Sequence, residues 1–199
     1  MWHSLFFGDA AARPRRRKGR SIMMKKNQII RLVFTGLCIA LGVVLPLAFH
    51  TVPNGGKVFL PMHIPVLLCG MACGPVYGLI CGVLAPLLSS VMTSMPPAAM
   101  LPAMLCELAV YGLISGLLLK LVHTRSKAAN LWISLVGAML CGRAVSGLLN
   151  GLIFQAGSYG MKEWVAASFV AALPGIAIQL VLLPLLVLAL ERARLVELP

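Results

Sequence analysis

The sequence predicts an all-α integral membrane protein: a six-transmembrane-helix bundle with N- and C-termini cytoplasmic. Three observations predict it. Hydrophobic residues make up 60% of the chain and charged residues only 11%, against about 45–50% and about 25% in soluble domains. Nine of the seventeen Lys and Arg residues crowd between Arg13 and Arg31, just ahead of the first apolar run. Glycine and proline then interrupt the apolar runs at the places where helices break or touch. The chain is therefore expected to be a multi-pass protein of the cell membrane. A net charge of +12 could serve nucleic acid. Its concentration beside a span instead matches anchoring at anionic lipid, so the bilayer is the expected partner and nucleic acid is not.

Residues 1–23 read as a basic, irregular leader, with Met23 and Met24 as alternative starts, and 24–199 as the membrane domain. The first span, Gln28 to Phe49, has about the 20 residues a bilayer requires. It carries Gly36 and Ala40, a small-xxx-small pair suited to close helix contact, either inside the bundle or with another protein. Asn54-Gly55-Gly56 marks a turn in the loop His50–Leu60. Next comes the stretch Leu60 to Pro97, where glycine recurs every fourth residue at Gly70, Gly74, Gly78 and Gly82. That spacing keeps small residues on one narrow helix face, and Gly74-Pro75 breaks the helix in the middle. Its path, about 54 Å, is generous for one span and slightly short for two. Charge decides for two. The later spans, Ala98–Leu121, Ala128–Leu152 and Glu163–Leu190, then place Lys120, Arg125, Lys127, Arg192 and Arg194 on the side of the N-terminal cluster. Only Lys57 and Lys162 remain outside, which satisfies the positive-inside rule. The sixth span is expected to kink at Pro174-Gly175 and at Pro184.

Glu107 and Arg143 are the formally charged residues deep within these spans. A charge there costs about 2.5–3.5 kcal/mol even on the lenient scale, so both should face inward and find partners. Counting from the outer rim puts both about 13–15 Å deep. They are placed to form a structural ion pair or to hold a ligand. Asn150 lies two turns above Arg143 on the same face, toward the outer loops. His63 and Lys57 stand at the mouth, His63 either as a cap of the hairpin or as a ligand contact. The expected pocket lies between the loops His50–Leu60 and Phe154–Lys162 and the turn Thr93–Pro97, with apolar walls and a few convergent polar groups. An arginine fork suits a carboxylate, unless Glu107 neutralises it. Gln155, Tyr159 and Trp164 sit on outer loops or rims, where aromatic residues act as interfacial anchors, and mid-span Gln179 is expected to bond a neighbouring helix.

Six cysteines all fall in apolar runs and read as small hydrophobes, so no metal site is assigned. The chain holds no phosphate loop of the form GxxxxGK[ST], no HExxH and no GxSxG. It is not expected to be an enzyme or to bind a cofactor itself.

In order and total length, several pieces resemble the substrate-binding S component of energy-coupling-factor (ECF) vitamin transporters from about Met24 onward. They are the basic start, Gly36-xxx-Ala40, Phe59-Leu-Pro-Met-His-Ile-Pro65, the glycine series around Gly74-Pro75, and Met95-Pro-Pro97 followed by Glu107, Gly112 and Gly116. The resemblance implies six membrane helices and a high-affinity site for a vitamin-like molecule near the outer face. It also implies docking onto a shared transmembrane subunit with two cytoplasmic ATPases, which would use the ATP. Gly36 and Ala40 would meet that subunit, although the family usually has alanine at both positions. Met62-His63 is internal here, unlike the N-terminal Met-His of metal-transporting relatives, which argues against a metal substrate. The competing expectations are a self-sufficient secondary transporter driven by protons or sodium through Glu107, and a membrane enzyme or scaffold.

Overall fold

The computed structural model describes residues 13–49, 55–154, 160–193 and 195–196. All regular structure in them is helical: α1 (Arg13–Ala48), α2 (Gly55–Phe59), α3 (His63–Cys73), α4 (Pro75–Thr93), α5 (Leu101–Leu121), α6 (Lys127–Leu149), α7 (Met161–Val165) and α8 (Leu173–Arg192). Two π-helical turns, Asn150–Phe154 and Ala166–Val170, follow α6 and α7. The chain divides into two compact units, Met1–Val33 and Phe34–Pro199. In the first, residues 1–12 of the basic leader lie outside the described residues. From Arg13 the leader is helical rather than irregular, as lysine and arginine are good helix formers.

Among the described residues, five helices are long and apolar enough to cross a membrane: Gln28–Ala48 within α1, α4, α5, Lys127–Ile153 and α8. The sixth apolar helix, α3, has 11 residues, about 16 Å of rise against a hydrocarbon core of about 30 Å. The hairpin is therefore unequal, a short buried helix followed by a long one. Large apolar side chains such as Leu37, Val44, Val91, Leu140 and Leu185 point outward, as expected where lipid is the solvent.

The break between α3 and α4 falls at Gly74, whose φ of 103° and ψ of 174° lie in a region open essentially to glycine alone. Pro75 then opens α4, where its missing N–H costs nothing. The two helices fold back so that Gly70 and Gly78 face each other and both face Gly112 of α5. A β-carbon on Gly78 would stand 2.6 Å from the Gly70 Cα, and one on Gly116 would stand 2.5 Å from the Gly70 carbonyl oxygen. No side chain fits there. Three helix backbones meet along this seam, with Ser115, Cys81, Ala85 and Leu108 completely buried beside it.

Chain direction alternates through the second unit. Gly82 lies against Leu108 and Gly78 against Gly112, so α4 and α5 are antiparallel; Leu118 meets Gly137 and Tyr111 meets Gly142, so α5 and α6 are too. As a result the starts of α3, α5 and α8 share one end of the bundle with the ends of α4 and α6. At the opposite end Lys120 approaches Gly74, and Lys127 of α6 donates to Glu191 of α8.

Candidate functional site

Polar side chains from α3, α5 and α6 collect at the end where α3 and α5 begin. His63 is the first residue of α3. Glu107 lies six residues into α5 and Arg143 six residues before the end of α6, each about 9 Å from its α-helix end. Glu107 is shallower than counting from the rim predicts, because residues 97–100 form a hydrogen-bonded turn rather than helix. Beyond α6 the helical path continues through the π-helical turn to Phe154, so Arg143 keeps the depth counted from the rim.

Glu107 and Arg143 do not form a salt bridge with each other. The Glu107 carboxylate accepts a 3.0 Å hydrogen bond from the Tyr111 hydroxyl, one helical turn on, and stands 3.7 Å from His63 Nε2. Ser146 lies near enough to interact with it as well. The Tyr111 ring, wholly buried, sits 5.2 Å from the His63 ring and fills the hollow left by Gly142. The Arg143 guanidinium is electrostatically coupled to both Glu107 and Tyr111, and lies 5.6 Å from the centre of the Phe169 ring. Trp164 packs on Gly147 and donates its indole N–H to the Arg143 carbonyl at 3.1 Å, with Phe169 edge-on at 5.5 Å.

His63 and Arg143 are each 4% exposed. Both imidazole nitrogens and the Arg143 Nη2 are buried without a hydrogen-bond partner among the described residues. An unmet donor on a buried cation is costly, of order 1–3 kcal/mol or more, so the cluster is prepared to accept further polar contacts.

Of the other predicted residues, some lie within the described residues and some do not. Asn150 opens the first π-helical turn, and its amide bends back to Ser146 at 2.9 Å (carbonyl) and 3.4 Å (hydroxyl); it reaches the cluster only through Ser146. Lys57 lies on α2, and its side chain falls outside the described residues, as do Gln155 and Tyr159. Gln179 donates to the carbonyl of Leu60, just ahead of α3, at 3.4 Å rather than to a neighbouring helix. Gly36 and Ala40 both face outward from α1, and a β-carbon on Gly36 would meet nothing within 4 Å. Trp164, expected as an interfacial anchor, instead fastens the segment after residue 160 to α6. Tyr111, Ser146 and Phe169 were not selected as site residues by the sequence. Tyr111 and Ser146 left a signal, since residues three or four apart share a helix face and these stand so from Glu107 and from Arg143; Phe169 left none.

The fold and cluster define a multi-pass helical membrane protein that encloses titratable side chains near one end of its bundle. Residues 30–187 match the family model of the ECF transporter substrate-specific component, and the chain belongs to that family. It is thus a membrane protein and the substrate-specific component of a transporter, not an enzyme. No curated protein and no solved structure matches it.

Proposed function

We propose that this chain captures a vitamin-sized, amphipathic molecule at the His63–Glu107–Tyr111–Arg143 cluster, and that separate subunits energise its uptake. The observation that carries this reading is the incompletely bonded polar cluster, enclosed by apolar helices at the end where the connecting segments converge. Apolar walls provide burial and a few fixed polar groups set orientation, the usual division of labour in a small-molecule site. The partners would be the shared transmembrane subunit and two cytoplasmic ATPases of an ECF transporter, met through the Gly36 and Ala40 face. Six helices cross or enter the membrane in this reading, with both chain ends cytoplasmic. The grouping of Lys120, Arg125, Lys127 and Arg192 at the end opposite the cluster supports that orientation.

The test starts with mass spectrometry of the small molecule retained by the purified chain, followed by reconstitution with that molecule in proteoliposomes. The chain alone is expected to bind it without accumulating it, and accumulation is expected to need the ATPase module and ATP. Accumulation by the chain alone under a proton or sodium gradient would overturn the proposal in favour of a secondary carrier. For orientation, Ser126→Cys should be labelled only from the cytoplasm and Ala99→Cys only from outside.

A further inference from the structure

We infer that the molecule captured at this cluster carries a carboxylate, which docks in the plane of the Arg143 guanidinium at its free Nη2 edge. The inference rests on the substrate-binding role proposed above and narrows the chemistry of that site. Three observations converge on it. Arg143 is 96% buried by its 4% exposure, yet Nη2 has no acceptor among the described residues. Glu107, the acidic residue at hand, is engaged by the Tyr111 hydroxyl and faces His63, and makes no salt bridge to Arg143. One face of the guanidinium is directed to the Phe169 ring, and Phe169 is itself braced by Trp164, which is bonded to the Arg143 carbonyl.

Each observation excludes an alternative. If Glu107 saturated the arginine, an incoming anion would meet a neutral pair and gain little. A guanidinium covered on its face, with a buried and unbonded donor at its edge, favours a planar, coplanar acceptor, the geometry in which arginine binds carboxylates through parallel N–H bonds. Burial keeps that bond away from competing water, so truncating one side is expected to cost affinity heavily. His63, on the neighbouring helix, faces Glu107 at 3.7 Å but makes no hydrogen bond through either nitrogen, and supplies a second polar contact for a hydroxyl or amide elsewhere on the same molecule. The ligand is therefore a compact acid with an apolar body and at least one further hydrogen-bonding group.

The experiment uses the full-length chain in nanodiscs and matched pairs of vitamin-sized probes: nicotinate with nicotinamide, biotin with biotinamide, and pantothenate with pantothenol. The molecule that co-purifies, identified by mass spectrometry, is tested alongside them. An acid is expected to bind, with its neutral counterpart weaker by about 100-fold or more. Arg143→Met should lose the acid by a similar factor. Arg143→Lys retains the charge without the fork and should lose about tenfold or more; it supplies the answer if the methionine variant does not fold, as judged by thermal unfolding and size exclusion. Equal binding of an acid and its neutral partner, or unchanged acid binding in Arg143→Lys and Arg143→Met, would overturn the carboxylate. A retained molecule that is neutral or cationic would overturn it too while leaving the substrate-binding role standing. Failure of the wild-type chain to bind or retain any small molecule would take down both.

Discussion

Two faces of small residues in this molecule carry the same spacing and meet opposite surroundings. Along α3, α4 and α5, glycines four residues apart bring three backbones together so closely that a β-carbon on Gly78 or Gly116 would strike main-chain atoms. On α1, Gly36 and Ala40 are also four apart, yet both are exposed and Gly36 has no neighbour within 4 Å. The first face is filled from within the chain. The second is open to whatever approaches from outside the bundle. Small residues mark close helix approach at the first face; at the second, the approach would have to come from another protein, as proposed above. The same α1 helix also shows what an internal small residue looks like, since a β-carbon on Gly42 would sit 2.9 Å from that of Ala85.

The largest effect is expected at the closed face. Gly78→Val would drive a branched side chain into the α3 and α5 backbones, which cannot yield as a flexible side chain can. Overpacking usually costs about 1–3 kcal/mol; here we expect the upper end or more, seen as loss of monodisperse protein by size exclusion in detergent. A variant that folds and melts like the parent would break the comparison. Gly74→Ala separates space from conformation. The nearest atom to its β-carbon would be Lys120 Nζ at 3.6 Å, an ordinary contact, while its φ of 103° forbids a side chain. Strain alone should cost about 1–3 kcal/mol, measured as a lowered thermal midpoint with the fold retained. The smallest stability effect is expected at the open face. Gly36→Leu should change folding stability by no more than about 0.5 kcal/mol while abolishing co-purification with partner subunits. A large fall in the thermal midpoint would show that this face is used inside the bundle after all.

The polar cluster follows the same division between position and partner. Glu107 and Arg143 stand out in the sequence because a charge in an apolar run demands an explanation. Which group each one meets was not legible. Glu107 turns to Tyr111 and His63 because Tyr111 lies one turn along its own helix and α3 runs alongside α5 in the same direction. Asn150 was placed on the Arg143 face by counting 3.6 residues per turn, but the chain passes into a π-helical turn at that residue, and its amide closes onto Ser146. Trp164 looked like a rim residue because tryptophan favours interfaces. The hollow at Gly147 and the Arg143 carbonyl draw it inward instead.

What the sequence determined by itself was local: which runs are helical and apolar, the break at Gly74-Pro75, and the places where glycine, charge and amide interrupt the hydrocarbon. These follow from backbone freedom and from transfer into lipid, both properties of a residue and its near neighbours. Only the tertiary structure decided which of two equally spaced small-residue faces is closed, how short α3 is beside α4, and that Glu107 leaves the Arg143 edge unpaired. Periodicity fixes which residues share a face of a helix, but the direction that face points depends on rotation about the helix axis. That rotation is set by all the neighbouring helices at once, through contacts between residues far apart in the chain.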